Sequence, residues 1–151
     1  MTNAETQPTS QPPALWNPNA AACWSLLFSP VFGAFIHAQN AEALGRVEEA
    51  KSNRVWFYVS IGFYAVVCLT TFVPVIPDGL LRVAGLALLL GWYFSLGRKQ
   101  IAYVKETWRD GYERKPWKKP LLVAFGSLFG LSAVTIVLTM ASEIVFHAGR
   151  N

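Results

Sequence analysis

Long uncharged blocks of apolar residues dominate the chain and predict membrane-spanning helices. The hydrocarbon core of a bilayer is about 30 Å thick and a helix rises about 1.5 Å per residue, so a span needs about 20 apolar residues. Residues 55–77 and 121–142 supply 23 and 22 residues without a charge. Residues 80–97 supply 18, with Arg82 near their start, where its methylene stem can carry the charge to the interface. We predict that these three segments span a membrane.

The first apolar block, residues 20–38, allows two interpretations. It holds 19 uncharged residues, but Ser29-Pro30 lies in its middle and Gly33 follows soon after. Proline removes a backbone hydrogen bond and clashes with the carbonyl four residues earlier, so a continuous helix would kink there. The block is either a Pro-kinked fourth span, which we favour, or a re-entrant or interfacial pair of helices.

These elements predict an all-α integral membrane protein with a single helical domain over residues 20–147. Residues 1–19 contain four prolines among Thr, Gln and Asn and no Lys or Arg, which is typical of a flexible tail. Residues 39–54 are a mixed-charge connector with an (i, i+4) pair, Glu42 and Arg46. Residues 98–120 form a basic, aromatic segment before the last span.

Composition and charge support the bilayer as the solvent. Apolar residues make up 53% of the chain and charged residues 15%, where about 25% is ordinary. This argues against a disordered chain, a nucleic-acid-binding protein and a typical soluble enzyme. Eight of the 13 Lys and Arg residues fall in residues 98–119, with only three acids. Because this cluster lies between two apolar blocks, it indicates a membrane surface rather than a nucleic acid partner.

The placement of the cations predicts an orientation. If residues 39–54 and 98–120 lie on one side, that side holds eleven cations and the other holds Arg82 and Arg150. Cytoplasmic loops collect Lys and Arg, so both connectors are predicted to be cytoplasmic. With four spans both termini lie on the opposite side. With three spans the N-terminus is cytoplasmic and nothing else changes.

The basic segment is the predicted contact surface for lipid or a partner. A helix continues from the third span and ends near Asp110-Gly111, with Ile101, Val104 and Trp108 on one face. Its cations suit anionic headgroups, and its aromatic rings suit the headgroup region. The candidate contact residues are Arg98, Lys99, Lys105, Trp108, Arg109, Tyr112, Trp117, Lys118 and Lys119.

Small residues at helical spacing predict faces where helices pack. In lipid, close helix contacts depend on small side chains, and the last span carries a GxxxG pair. These faces can pack within one chain or between chains. The candidate packing residues are Gly126 and Gly130 in the last span, Ala87, Gly91 and Ser95 in the third, and Ser29 and Gly33 in the first block.

The sequence supports no catalytic or metal site. It lacks the serine-hydrolase elbow, the zinc-protease motif and a phosphate-binding glycine loop. Cys23 and Cys68 lack the spacing of metal or redox motifs. His37 is the one ionisable group near a packing face. Its position near the end of a helix is typical of a polar side chain at the membrane interface. A proton relay or a ligand is the alternative role. We expect no cofactor and no enzymatic activity.

Two stretches resemble small, uncharacterised multi-span membrane proteins of Gram-negative bacteria. They are residues 16–35, from Trp16-Asn17-Pro18 to Ala34-Phe35, and residues 91–105, which begin Gly91-Trp92-Tyr93-Phe94. Some of those proteins carry an additional N-terminal soluble domain, which is not expected in this sequence. The resemblance implies a bacterial inner membrane and no specific activity.

The expected role is non-enzymatic: a small helical module that packs with itself or with a membrane partner. One alternative is an immunity or accessory protein for a toxin or secretion system. Another is an oligomeric channel or small transporter, although broken helices or buried charges at mid-depth, which mark transporters, are represented only by Pro30 and Gly33.

Overall fold

The computed structural model describes residues 12–70 and 76–148, and every regular element there is helical. The first two helices are joined by a short turn, and the third helix continues through a π-helical turn into the fourth. The elements are α1 (Pro18–Ala43), α2 (Val47–Thr70), α3 (Asp78–Trp92), the π turn (Tyr93–Gly97), α4 (Arg98–Thr107) and α5 (Lys118–Ala148).

Four helical stretches have the length and hydropathy of membrane spans, which confirms the predicted all-helical class with several candidate spans. They are Pro18–Ala43, Val47–Thr70, Gly79–Thr107 and Lys118–Ala141. The predicted spans 80–97 and 121–142 correspond to the third and fourth of these. The predicted span 55–77 corresponds to α2, which begins earlier, at Val47, and residues 71–75 lie outside the described part.

The first helix reverses direction at Ser29. Ser29 has φ 74° and ψ 168°, which breaks α1 into an arm before it and an arm that begins at Pro30. The arms lie side by side: the His37 ring nitrogen Nε2 is 3.1 Å from the Pro18 carbonyl oxygen, and Asn40 bonds to the backbone of Trp16. The favoured interpretation, one kinked span, is therefore wrong in shape, and the first apolar block is a helical hairpin.

The hairpin forms the centre of the molecule. Its second arm packs along α2, where the rings of Phe35 and Phe57 lie 5.8 Å apart. Residues of both arms join one apolar cluster, in which Ala21 meets Phe32 and Ile36. The hairpin therefore contributes most of the buried residues, whereas α2 and α3 expose long apolar faces.

A π-helical turn interrupts the third span. The buried positions on this stretch are Trp92, Gly97, Gln100 and Val104, which are five, three and four residues apart. An α-helix keeps one face with steps of three and four residues, so the wider π turn allows Trp92 and Gly97 to face the core together. The sequence predicted an uninterrupted helix here and gave no sign of this turn.

Among the side chains that the structure describes, those of α5 contact the other helices near the beginning of the helix. Phe125 packs edge-on against Phe28 at 4.8 Å between ring centroids, and Leu121 and Ala124 join the same cluster. Beyond Phe125, every residue up to Ala141 is exposed except Thr135, which is partly buried.

The segment before α1 is packed against the protein, unlike the flexible tail predicted for residues 1–19. Leu15 is fully buried beside Val104 and Tyr112. Its N–H donates to the Glu113 carbonyl at 2.9 Å, and its carbonyl accepts from the Lys115 N–H at 2.8 Å. Residues 1–11 lie outside the described part. We call the end of the molecule that holds residues 12–17, 44–46 and 108–117 the basic end.

The two polar connectors are mostly helical and meet at the basic end. Only three residues, 44–46, separate α1 from α2, with Gly45 at φ 71°. The predicted Glu42–Arg46 pair is replaced by ion pairs of Glu42 with Arg54 and of Arg46 with Glu49. The helix predicted to end near Asp110 ends at Thr107, and Arg109 takes a left-handed φ of 50°.

Candidate functional site

A clasp of polar groups holds the hairpin closed at the basic end. The Asn40 amide bonds twice to the backbone of Trp16, since Oδ1 accepts from the Trp16 N–H at 3.0 Å and Nδ2 donates to the Trp16 carbonyl at 2.7 Å. The Asn17 side chain accepts from the N–H groups of Asn19 and Ala20 and so caps the first arm. We call Trp16, Pro18, His37 and Asn40 the clasp.

His37 is a member of this clasp and not an interfacial tip. Its side chain is fully buried, with Nε2 at the Pro18 carbonyl and the ring edge-on to Trp92 at 5.0 Å between centroids. Because the Pro18 carbonyl can only accept, Nε2 carries the proton of the neutral ring. Nδ1 has no hydrogen-bond partner among the described residues. The arrangement is that of a structural histidine.

Buried amides connect the hairpin to the neighbouring helices. Gln100 in α4 donates from Nε2 to the His37 carbonyl at 2.9 Å. Trp92 donates from Nε1 to Asn53 Oδ1 at 3.0 Å, and Asn53 Nδ2 donates to the Glu49 carbonyl at 3.0 Å. A buried polar group without a partner costs about 1–3 kcal/mol, so these bonds fix α4 against α1 and α3 against α2. Sequence reasoning missed Trp92 and the amide side chains of Asn40, Asn53 and Gln100, although isolated Asn and Gln residues at the edges of apolar blocks are a usable signal.

Of the candidate packing residues in the first block, Gly33 lies at the closest contact. A Cβ on Gly33 would overlap the Ser25 hydroxyl and the Trp92 ring, so only glycine fits where the arms meet. Ser25 itself donates to the Ala21 carbonyl at 2.8 Å. Ser29 lies at the turn between the arms, and its side chain lies close to the Tyr64 hydroxyl of α2.

The candidate packing residues of the other spans differ in their surroundings. Gly91 lies against Trp56, because a Cβ added to Gly91 would be 3.2 Å from Cη2 of that ring, and Ser95 donates to the Trp92 carbonyl. Ala87 is exposed. Gly126 and Gly130 have open space on the Cβ side, with no described atom within 4 Å.

The aromatic residues of the basic segment are anchored in the protein. Tyr112 is buried with Leu15, and Trp108 packs on the same cluster. Burial raises the pKa of Tyr112, and the neighbouring Arg114 guanidinium opposes this shift. Trp117 lies 6.3 Å from Phe32 between ring centroids. These rings therefore fix the segment to the hairpin.

The candidate cations of the segment point to solvent. Lys99 lies close enough to Glu49 to interact with its charge. None of the candidates takes part in the four ion pairs found among the described residues. The exposed candidate cations are Arg98, Lys99, Lys105, Arg109, Lys118 and Lys119.

Within residues 12–70 and 76–148, no three His, Cys, Asp or Glu side chains converge as metal ligands. The buried polar groups bond mainly to backbone and to each other. The chain matches no family model, no curated protein and no solved structure.

Proposed function

We propose that this protein is a non-enzymatic, multi-pass protein of a bacterial inner membrane that acts by helix–helix association through α5, with itself or with a membrane partner. The observation that supports it is the isolation of α5 beyond Phe125. Residues 126–141 are exposed almost throughout, and the open Cβ positions of Gly126 and Gly130 lie on this stretch. A glycine pair at this spacing allows close helix approach in lipid.

The hydroxyl groups of α5 support association by packing rather than by polar bonds. Ser132 and Thr135 each donate to the carbonyl four residues earlier, at 2.8 and 2.9 Å. Their hydrogen-bonding capacity is thus largely used within the helix. A partner helix would therefore contact α5 mainly by close van der Waals packing of apolar side chains, which is how GxxxG helices associate.

Crosslinking in native membranes, followed by mass measurement in detergent, tests this proposal. Gly130→Leu should reduce the crosslinked species, because a bulky side chain separates the helices. Gly62→Leu is the matched control, since Gly62 in α2 is equally open to its surroundings. A chain that forms no crosslinked species with itself or with any other membrane protein, or a Gly130→Leu variant that assembles like Gly62→Leu, would contradict the proposal.

The basic end is proposed to face the cytoplasm and to contact anionic headgroups. Lys118 and Lys119 support this, because they are exposed, lie outside the ion pairs and follow Trp117, which is fixed on the hairpin. Each lysine near an anionic surface contributes about 1 kcal/mol. Replacing both with Gln should lower the anionic lipid that copurifies with the protein, whereas Lys51→Gln, in an ion pair with Glu48, should not. Equal retention in both variants would reject this contact.

A further inference from the structure

Three contacts across α1 pair its two arms in order around Ser29. Trp16 meets Asn40, Pro18 meets His37, and Ser25 meets Gly33. In a continuous helix Pro18 and His37 would be about 28 Å apart along the axis. Here a hydrogen bond of 3.1 Å joins them. The ends of α1 therefore lie at one place, although its total length and hydropathy match those of a span.

Neither arm is long enough to cross a bilayer. The first arm, residues 18–28, is about 17 Å long and the second, residues 30–43, is about 21 Å long. The hydrocarbon core requires about 30 Å. A hairpin of this size can only enter from one side and return to it.

We infer that α1 is a re-entrant hairpin inserted from the basic end, so that the chain crosses the membrane three times and residues 12–17 share a compartment with residues 98–117. This inference concerns the topology and does not depend on the proposed association of α5. The direct pairing of Leu15 with the backbone of Glu113 and Lys115 carries it, because two segments joined by hydrogen bonds lie on one side.

The depth of the turn fits a hairpin that stops near the middle of the bilayer. Ser29 lies close to the Tyr64 side chain, and Tyr64 lies ten residues, or about 15 Å, beyond Arg54, the last charged residue of α2. Irregular backbone at that depth must be satisfied or covered by protein. Pro30 is buried and has no backbone N–H, so the turn leaves one fewer donor to be satisfied at this depth.

Labelling with a membrane-impermeant maleimide in sealed vesicles of known orientation tests the topology. In a chain with Cys23 and Cys68 changed to Ser, single cysteines are placed as Ala14→Cys, Gly111→Cys and Gly79→Cys. Gly111 marks the basic end, and Gly79 marks the connection between α2 and α3 at the other end. We expect Ala14→Cys and Gly111→Cys to be labelled from the same side and Gly79→Cys from the opposite side.

Labelling of Ala14→Cys together with Gly79→Cys, or from both sides in one preparation, would overturn the inference. A second measurement addresses the hairpin directly. Gly33→Leu should lower the Tm in detergent strongly, because its side chain would separate the arms, whereas Gly62→Leu should leave the Tm nearly unchanged. Equal Tm values for these two variants would mean that the arms do not pack on each other, and this would also overturn the inference.

Discussion

Ser29 has a backbone conformation that only glycine adopts freely. Its φ of 74° and ψ of 168° fall in a region that costs other residues about 1–3 kcal/mol. The cost is tolerated because the contacts between the arms, Pro18 with His37 and Trp16 with Asn40, hold the turn in place. The strained backbone and the contact of the Ser29 side chain with Tyr64 act in opposite directions at this one residue.

Two substitutions separate these effects. Ser29→Gly and Ser29→Ala both remove the hydroxyl, but only glycine relieves the strain. We expect the glycine variant to be more stable than the alanine variant by about 1–2 kcal/mol, measured as the difference in thermal unfolding in the same detergent. Identical melting curves for the pair would show that residue 29 is not held at positive φ.

Tyr112 gives a pH dependence at the basic end. Burial raises its pKa above the value of the unfolded chain, which is about 10. The neutral phenol therefore contributes stability that is complete below about pH 10 and is lost as the pH rises through the raised pKa. The Tm of the native chain should fall more steeply above about pH 10 than the Tm of Tyr112→Phe. Parallel pH profiles would contradict this.

The Ser29-Pro30 pair indicated the hairpin, but the predicted kink was the wrong interpretation of it. Ser29-Pro30 was interpreted as a kink, but Ser followed by Pro is also a typical helix start, with Ser at the cap and Pro at the first helical position. Asn17-Pro18 starts the first arm in the same way. Two such starts twelve residues apart indicate two short helices. Periodicity alone could not show this, because residues 20–36 on both sides of Ser29 contain no charged residue and form one continuous apolar block.

The π turn and Trp92 were beyond sequence reasoning for a different reason. A π turn depends on which side chains meet across helices, here Trp92 with Asn53 and Gly33, and such contacts leave no local pattern. The ends of the basic segment, in contrast, have a local signal in the sequence. Arg98 and Lys119 bracket the basic segment, because charges mark where a chain leaves an apolar solvent.

A double-mutant cycle tests the bond between Trp92 and Asn53. Trp92→Phe keeps most of the ring volume but leaves the buried Asn53 Oδ1 without its donor, so we expect a loss of about 1–3 kcal/mol in unfolding free energy. Adding Asn53→Leu should cost less than the sum of the two single changes, because neither partner is then left alone. Additive losses in thermal unfolding would show that the two side chains do not interact.

At the scale of the whole molecule, the sequence predicted the number of long apolar helices better than their arrangement. All four apolar blocks were recognised, and both charged connectors meet at one end, where Leu44, Tyr103 and Leu15 pack together. The sequence did not indicate which helix faces contact each other. Of the predicted packing glycines, Gly33 and Gly91 lie against other helical segments, whereas Gly126 and Gly130 have no described atom within 4 Å of the Cβ position.

The re-entrant topology inferred for the hairpin would also make the cross-section of the protein unequal in the two leaflets. If α1 stops at mid-depth, five helical segments displace lipid in the leaflet of the basic end, and three displace lipid in the other. A protein with this wedge-shaped cross-section fits best in a curved membrane whose convex side is the leaflet that contains five helical segments. After reconstitution, the fraction of molecules with Gly111→Cys outside should be greater in small, highly curved vesicles than in large ones. An orientation independent of vesicle size would mean that the two leaflets accommodate equal cross-sections of protein.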